Sequence, residues 1–241
     1  MKHEAKKRKL GLGSQILIGI LVGLAIGFFS PSFTQTISPL GNIFLRMLKM
    51  LIVPLVFFSI ISGICKMGDV KQLLTVGLRF VVYILVTSGI AATVGAIFGI
   101  ISGVGKGTTE FLGDASKVKA VSYSFIDNVV SWFPENIVQA MVKQDMLQII
   151  VFAIFIGCAL LTLGKEVDIL VKGFDQCSKL MLKITDFVMA FSPVGIAALM
   201  AKLVNSISGA TVKDVITFII MDYVAAIVVL IVMYPLLLKL L

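Results

Sequence analysis

Between Leu12 and Phe29 the chain has no charged residue. At about 1.5 Å of helical rise per residue, such a run nearly crosses a hydrocarbon core about 30 Å thick. Five more apolar blocks follow, at roughly Leu40 to Ile64, Phe80 to Val104, Met146 to Leu163, Phe187 to Val204 and Val215 to Leu238. None alternates apolar with polar residues in segments of about ten, so the blocks predict spanning helices and not a membrane barrel. Gly19, Gly23 and Gly27 recur every fourth residue on one helical face, a spacing that lets another backbone come close. Gly95, Gly99 and Gly103 repeat that ladder in the third block, beside Thr87 and Ser88, and predict a second helix contact. Pro54 interrupts the second block, and Pro193 with Gly195 interrupts the fifth.

The connections are equally informative. Ser30 to Pro39 carries no charge, whereas Gly105 to Asp127 mixes lysines with acids and reads as an outward loop. From Val129 the pattern is irregular. Trp132 and Phe133 precede Pro134, which is expected to open a short helix at its first position, so the fourth element is expected in pieces. Gly164 and Lys165 predict the stop of the Met146 to Leu163 helix. Asp168 with Lys172, and Asp175 with Lys179, then place an acid four residues before a base, the favourable order on a solvated helix face.

Composition strengthens the membrane reading. Hydrophobic residues make up 59% of the chain and charged residues 14%, far from the balance of soluble domains. The formal net charge of +8 sits at block ends and forms no single stripe, which argues against nucleic acid as a partner. Lys2, Lys6, Lys7, Arg8 and Lys9 precede the first block and predict a cytoplasmic N-terminus, with no A-x-A site to suggest removal of a leader. Lys66, Lys71 and Arg79 around the next connection agree, and six spans return the C-terminus to the same side. Arg46 and Lys49 are expected to snorkel to headgroups from the first turns of the second block. Asp222 lies inside the sixth block, where an ionised carboxylate costs about 2.5 to 3.5 kcal/mol unless hydrated or partnered.

Cys65, Cys158 and Cys177 have no metal-ligand spacing, and His3, the sole histidine, stands in the polar tail. With no Walker A, dinucleotide or HExxH motif, and no serine, histidine and aspartate set, an enzyme is not expected. The expected fold is all-α and polytopic, with about six transmembrane helices, suited to a transporter or channel core.

Four stretches narrow that choice: MLKMLIVPLVFFS (Met47 to Ser59), VYILVTSGIAATVG (Val82 to Gly95), LQIIVFAIFIGCAL (Leu147 to Leu160) and FVMAFSPVGIAALMA (Phe187 to Ala201). In order and spacing they resemble the dicarboxylate/amino acid:cation symporter family, which includes the glutamate transporters, from about Gly11 to Leu241. The resemblance implies a homotrimer in the cell inner (plasma) membrane, surrounded by lipid, carrying small acidic substrates by an elevator-type alternating access. It implies a cytoplasmic tail at 1–11, scaffold helices 1 and 2 at 12–75, transport-domain helix 3 at 76–104 and an outer loop at 105–128. The broken helix 4 and helix 5 of the scaffold then fall at 129–207, and transport-domain helix 6 at 208–241.

Thr87 and Ser88 match the family positions whose hydroxyls enter a sodium site, and oxygen ligands are what a hard cation needs. Read from the residues alone, both hydroxyls would bond back to the preceding helical turn. Ile84 stands where the family often has an aromatic residue, which leaves sodium and protons both open as the coupling ion. The family continues past the position of Leu241 into the elements that hold substrate, so no substrate-binding residue is assigned. A non-transporting scaffold fragment or assembly partner is the alternative, and a channel a further one.

Overall fold

The computed structural model describes residues 11–68, 70–103, 124–206, 209–233, 235 and 239, and among these every regular element is helical. The basic tail through residue 10, with His3, and residues 105–123 of the expected outer loop lie outside the described residues. By length and composition, four stretches can cross a membrane: Leu12–Phe29, Pro31–Cys65, Leu74–Ser102 and Met146–Ala190. Ser192–Asn205 and Ile216–Ile231 are shorter apolar helices. Large apolar side chains point outward, with Phe29 87% and Ile101 77% exposed, while small residues such as Gly19, Gly23, Ala153, Ala201 and Ser192 are buried. That is how a chain solvated by lipid distributes its residues. The protein is an all-α polytopic membrane protein.

Chain contacts divide the molecule into two compact units: Met1–Val70 with Phe125–Ser206, and Lys71–Ser124 with Ile207–Leu241. In the first unit, α1 (Leu12–Phe29) lies on α8 (Ser192–Ser206) along its glycine ladder. Gly19, Gly23 and Gly27 are all buried. A Cβ added at Gly19 would overlap the Pro193 carbonyl, and one at Gly27 would lie 2.7 Å from Cβ of Val204.

α2 (Pro31–Cys65) is the spine of this unit, packing on α6, α7 and α8. It begins nine residues before the block read from the sequence, because only Ser30 connects the two helices and residues 31–39 form the first turns of α2. Pro31 fits the first helical position, where its missing N–H costs nothing. An uncharged segment in an apolar setting can satisfy its backbone only by forming helix, and that requirement outweighs Pro39. Arg46 and Lys49 consequently lie in the middle of a 35-residue helix and not in its first turns, with both side chains exposed. Two cores line α2: Phe44, Leu51 and Val188 at one level, and Ile61, Ala153 and Leu160 at another.

The fourth element is broken, as the sequence implies, into α4 (Phe125–Ser131), α5 (Ile137–Lys143) and α6 (Met146–Leu163). α4 starts inside the stretch expected as loop. Pro134 does not open α5. Asn136 caps it, its side-chain oxygen accepting from the N–H groups of Val138 at 2.9 Å and Gln139 at 3.3 Å. Asn136→Ala should cost about 1 kcal/mol of local stability, seen as faster hydrogen exchange at those two amides. Gln148 Nε2 ties α6 back to the Ser131 carbonyl at 2.9 Å.

Gly164, at φ +60°, ends α6 in a conformation that favours glycine, and one 3₁₀ turn leads into α7 (Asp168–Ala190). Pro193 cannot donate to the Met189 carbonyl, so α7 breaks at Phe191 before α8 begins. The three cysteines are free and half-buried.

In the second unit, α3 (Val70–Ser102) and α9 (Gly209–Val228) are the described helices, α9 continuing as a wider π turn through Met233. The second glycine ladder does not repeat the first. A Cβ at Gly95 or Gly99 would meet nothing within 4 Å.

Candidate functional site

α3 carries the hydroxyl pair. Thr87 is 7% exposed, and its Oγ1 donates to the carbonyls of Tyr83 at 2.9 Å and Ile84 at 3.1 Å. This bond back to the preceding turn is the arrangement expected of a threonine in a membrane helix. It also leaves the lone pairs of Oγ1 turned away from the helix, because a hydroxyl has one proton to give and two pairs to receive. Ser88 follows about 100° further round the helix, and its side chain is exposed. The two oxygens therefore do not converge on one point as neighbours on a helix. Among the described residues no three acidic, histidine or cysteine side chains gather into a metal centre. A hard cation on α3 would rely on neutral hydroxyl and carbonyl oxygens supplied by more than one segment.

The glycine ladder of α3 opens onto a cavity of about 70 Å³, where Gly95, Gly99 and Ser102 line one wall and Phe218, Met221, Asp222 and Ala225 of α9 the other. Ser102 Oγ donates to the Gly99 carbonyl at 3.2 Å. The missing glycine Cβ atoms make this room, and Asp222, the one charged residue of the apolar stretch Ile216–Ile231, has an exposed side chain there.

Sequence reading found Asp175 with Lys179 but not the group they belong to. Asp175 accepts from Lys66 at 2.6 Å, Lys179 at 2.7 Å and Ser62 Oγ at 2.9 Å, while Ser59 and Ser178 hydroxyls meet at 3.3 Å. Ser59, Ser62 and Lys66 are spaced three and four apart, so they share one face of α2. That spacing was the available signal. Asp168 and Lys172 also pair as read, at 2.6 Å. The network latches one end of α2 to α7. Asp175→Ala should lower the melting midpoint of the solubilised protein more than Ser59→Ala does, since it strands two lysines together; equal midpoints would remove the latch from the stability of this unit.

The sodium:dicarboxylate symporter family model matches residues 12–241. Among similar proteins, C4-dicarboxylate transport protein 2 of Ralstonia nicotianae is 30% identical over 233 residues, covering 92% of this chain and 52% of the relative. The proton/glutamate-aspartate symporter of Bacillus subtilis is 32% identical over 201 residues, covering 79% and 48%. The proton/sodium-glutamate symport protein of Geobacillus stearothermophilus is 30% identical over 209 residues, covering 82% and 50%. The chain thus spans about half the length of the curated relatives it matches. The apolar helices, the broken fourth element and a match over nearly every residue lead to one assignment: this chain belongs to the sodium:dicarboxylate symporter family.

Proposed function

We propose that the chain serves in cation-coupled symport of acidic amino acids or C4-dicarboxylates across the inner (plasma) membrane, by an elevator-type alternating access. The family match over residues 12–241 carries this reading, and its relatives are named for C4-dicarboxylate, glutamate and aspartate transport. The division into two interleaved units supports a static scaffold built on α1, α2 and α4 to α8, with α3 and α9 in the moving part. The proposed assembly is a homotrimer with the N-terminus in the cytoplasm, where its basic residues are best placed. Thr87 and Ser88 are the proposed chain-borne oxygens of a sodium site, with protons as the rival coupling ion.

The half-length match favours a second reading, a scaffold-bearing chain that transports only with another polypeptide. Uptake of labelled glutamate, aspartate and succinate into proteoliposomes, under imposed sodium or proton gradients, separates the two. Gradient-driven uptake by this chain alone supports symport. Trimers without uptake support the scaffold reading, and ion conductance without any substrate coupling would sink both in favour of a channel.

A further inference from the structure

The first unit has a polar pocket at the end away from the start of α1. α1 is 18 residues long, about 27 Å, and nearly crosses a hydrocarbon core about 30 Å thick. The Ser30 turn that joins it to α2 therefore lies at the far membrane surface. Gly27 of α1 packs on Ala201 and Val204, which brings the end of α8 to the same level. There the first turns of α2 and the last turn of α8 border a cavity of about 410 Å³, lined by Thr34, Gln35, Ser38, Lys202 and Asn205.

All five residues are polar, and Lys202 is the one charge among them. The helices at this end hold no acid to balance it, since neither α1, α2 nor α8 contains an aspartate or a glutamate. Lys202 is in no ion pair among the described residues. Thr34 is buried and gives its proton to the Ser30 carbonyl at 3.3 Å. Gln35, Ser38 and Asn205 have no hydrogen-bond partner among the described residues. A lysine ammonium carries three N–H donors and no acceptor, and each side-chain amide carries two more. One uncompensated cation beside free amide and hydroxyl groups is complementary to an oxyanion. At a membrane surface that oxyanion is lipid phosphate. A net anionic headgroup fits better than a zwitterionic one, because no carboxylate lines the pocket to take an ammonium. The amide oxygens of Gln35 and Asn205 can instead accept from the hydroxyls of a glycerol headgroup.

We propose that this pocket binds the phosphate of an anionic phospholipid in the leaflet away from the start of α1. Lys202 is its charged donor, and Gln35, Ser38 and Asn205 bond the rest of the headgroup.

The test is native mass spectrometry of the full chain in detergent, titrated with phosphatidylglycerol, phosphatidylethanolamine or phosphatidylcholine of the same acyl chains. Phosphatidylglycerol is expected to bind about fivefold more tightly than either zwitterionic lipid. Lys202→Gln should weaken phosphatidylglycerol about fivefold, and Lys202→Arg should keep most of the affinity. Lys165→Gln, which removes an exposed lysine outside the pocket, should leave it unchanged. Asn205→Trp keeps the charge of Lys202 while filling the space, and should weaken binding about tenfold. Gln35→Ala removes one amide from an exposed position and should weaken it about threefold.

Unchanged phosphatidylglycerol affinity in Lys202→Gln overturns the proposal. So does an affinity lowered by Lys202→Gln but untouched by both Asn205→Trp and Gln35→Ala, since the lysine would then act from the surface without a pocket. Stabilisation of the protein by inorganic phosphate, with no preference among the three lipids, would give the pocket to a free anion and overturns the lipid reading. A tryptophan variant that changes the oligomeric state but not lipid binding would assign this surface to a second copy of the chain, and overturns it as well. Should that variant aggregate, Lys202→Gln and Gln35→Ala still decide.

Discussion

Gly23→Val should detach α1 from α8, with a stability loss of about 3 kcal/mol or more. A Cβ at Gly23 would overlap the carbonyl oxygen of Ala197 and stand 2.8 Å from Cβ of Met200. The nearest obstacle is backbone, which cannot swing aside as a flexible side chain would. In a bilayer the lipid is as apolar as the helix surface, so close packing is what holds α1, and a separation of even 1 Å forfeits much of it. The measurement is the thermal midpoint of the detergent-solubilised protein, followed by size exclusion. Gly13→Val is the control on the same helix, because nothing lies within 4 Å of its added Cβ. Matching midpoints for the two variants would mean that the glycine ladder does not hold α1 in place.

The second large effect is functional. If Thr87 Oγ1 is a cation ligand, Thr87→Val removes an oxygen while keeping shape, and the apparent sodium affinity of coupled uptake should fall by roughly 10- to 100-fold. That range corresponds to about 1.5 to 3 kcal/mol for a hydrogen-bond-strength contact to a charge. Thr87→Ser should retain most of the affinity, and Ser88→Ala should show whether the exposed hydroxyl contributes at all. A valine variant with unchanged sodium dependence would leave the Thr87 hydroxyl with its bonds to Tyr83 and Ile84 as its whole role. These measurements require an assembly that transports, so they follow the uptake assay.

Strong periodic signals survived the passage from sequence to fold. Met146–Leu163 has the limits its apolar run predicts, since Gly164 at positive φ ends it. The ladder of Gly19, Gly23 and Gly27 packs as its spacing implies. The same spacing at Gly95 and Gly99 borders a gap, because a small-residue face permits a close approach without supplying the partner that makes one. The start of α2 was hidden by Pro39 and by polar residues such as Thr34, which is 3% exposed and bonds back to the Ser30 carbonyl at 3.3 Å. Local propensity reads such a segment as a turn, and only the apolar surroundings make it helix.

The candidate site was less legible than the fold. Thr87 and Ser88 are adjacent in sequence, but the pitch of α3 sends them different ways, and no one-dimensional pattern reports what else would complete a cation shell. The latch at Asp175 joins residues of α2 and α7 far apart in the chain, so its helical spacing could be seen in Ser59, Ser62 and Lys66 but not its partner.

The interleaving of the two units also bears on how the protein is made. α1 and α2 emerge from the ribosome first, yet the helices they pack on, α6, α7 and α8, begin only at Met146. α3 ends at Ser102, and α9, in the same unit, starts at Gly209. Early helices must therefore wait in the bilayer with their glycine seams open, shielded by lipid or by the insertion machinery. Slowing synthesis between α3 and α6 would lengthen that wait and expose the nascent chain to membrane proteases, whereas the same delay after α8 would find α1 and α2 already packed on their partners.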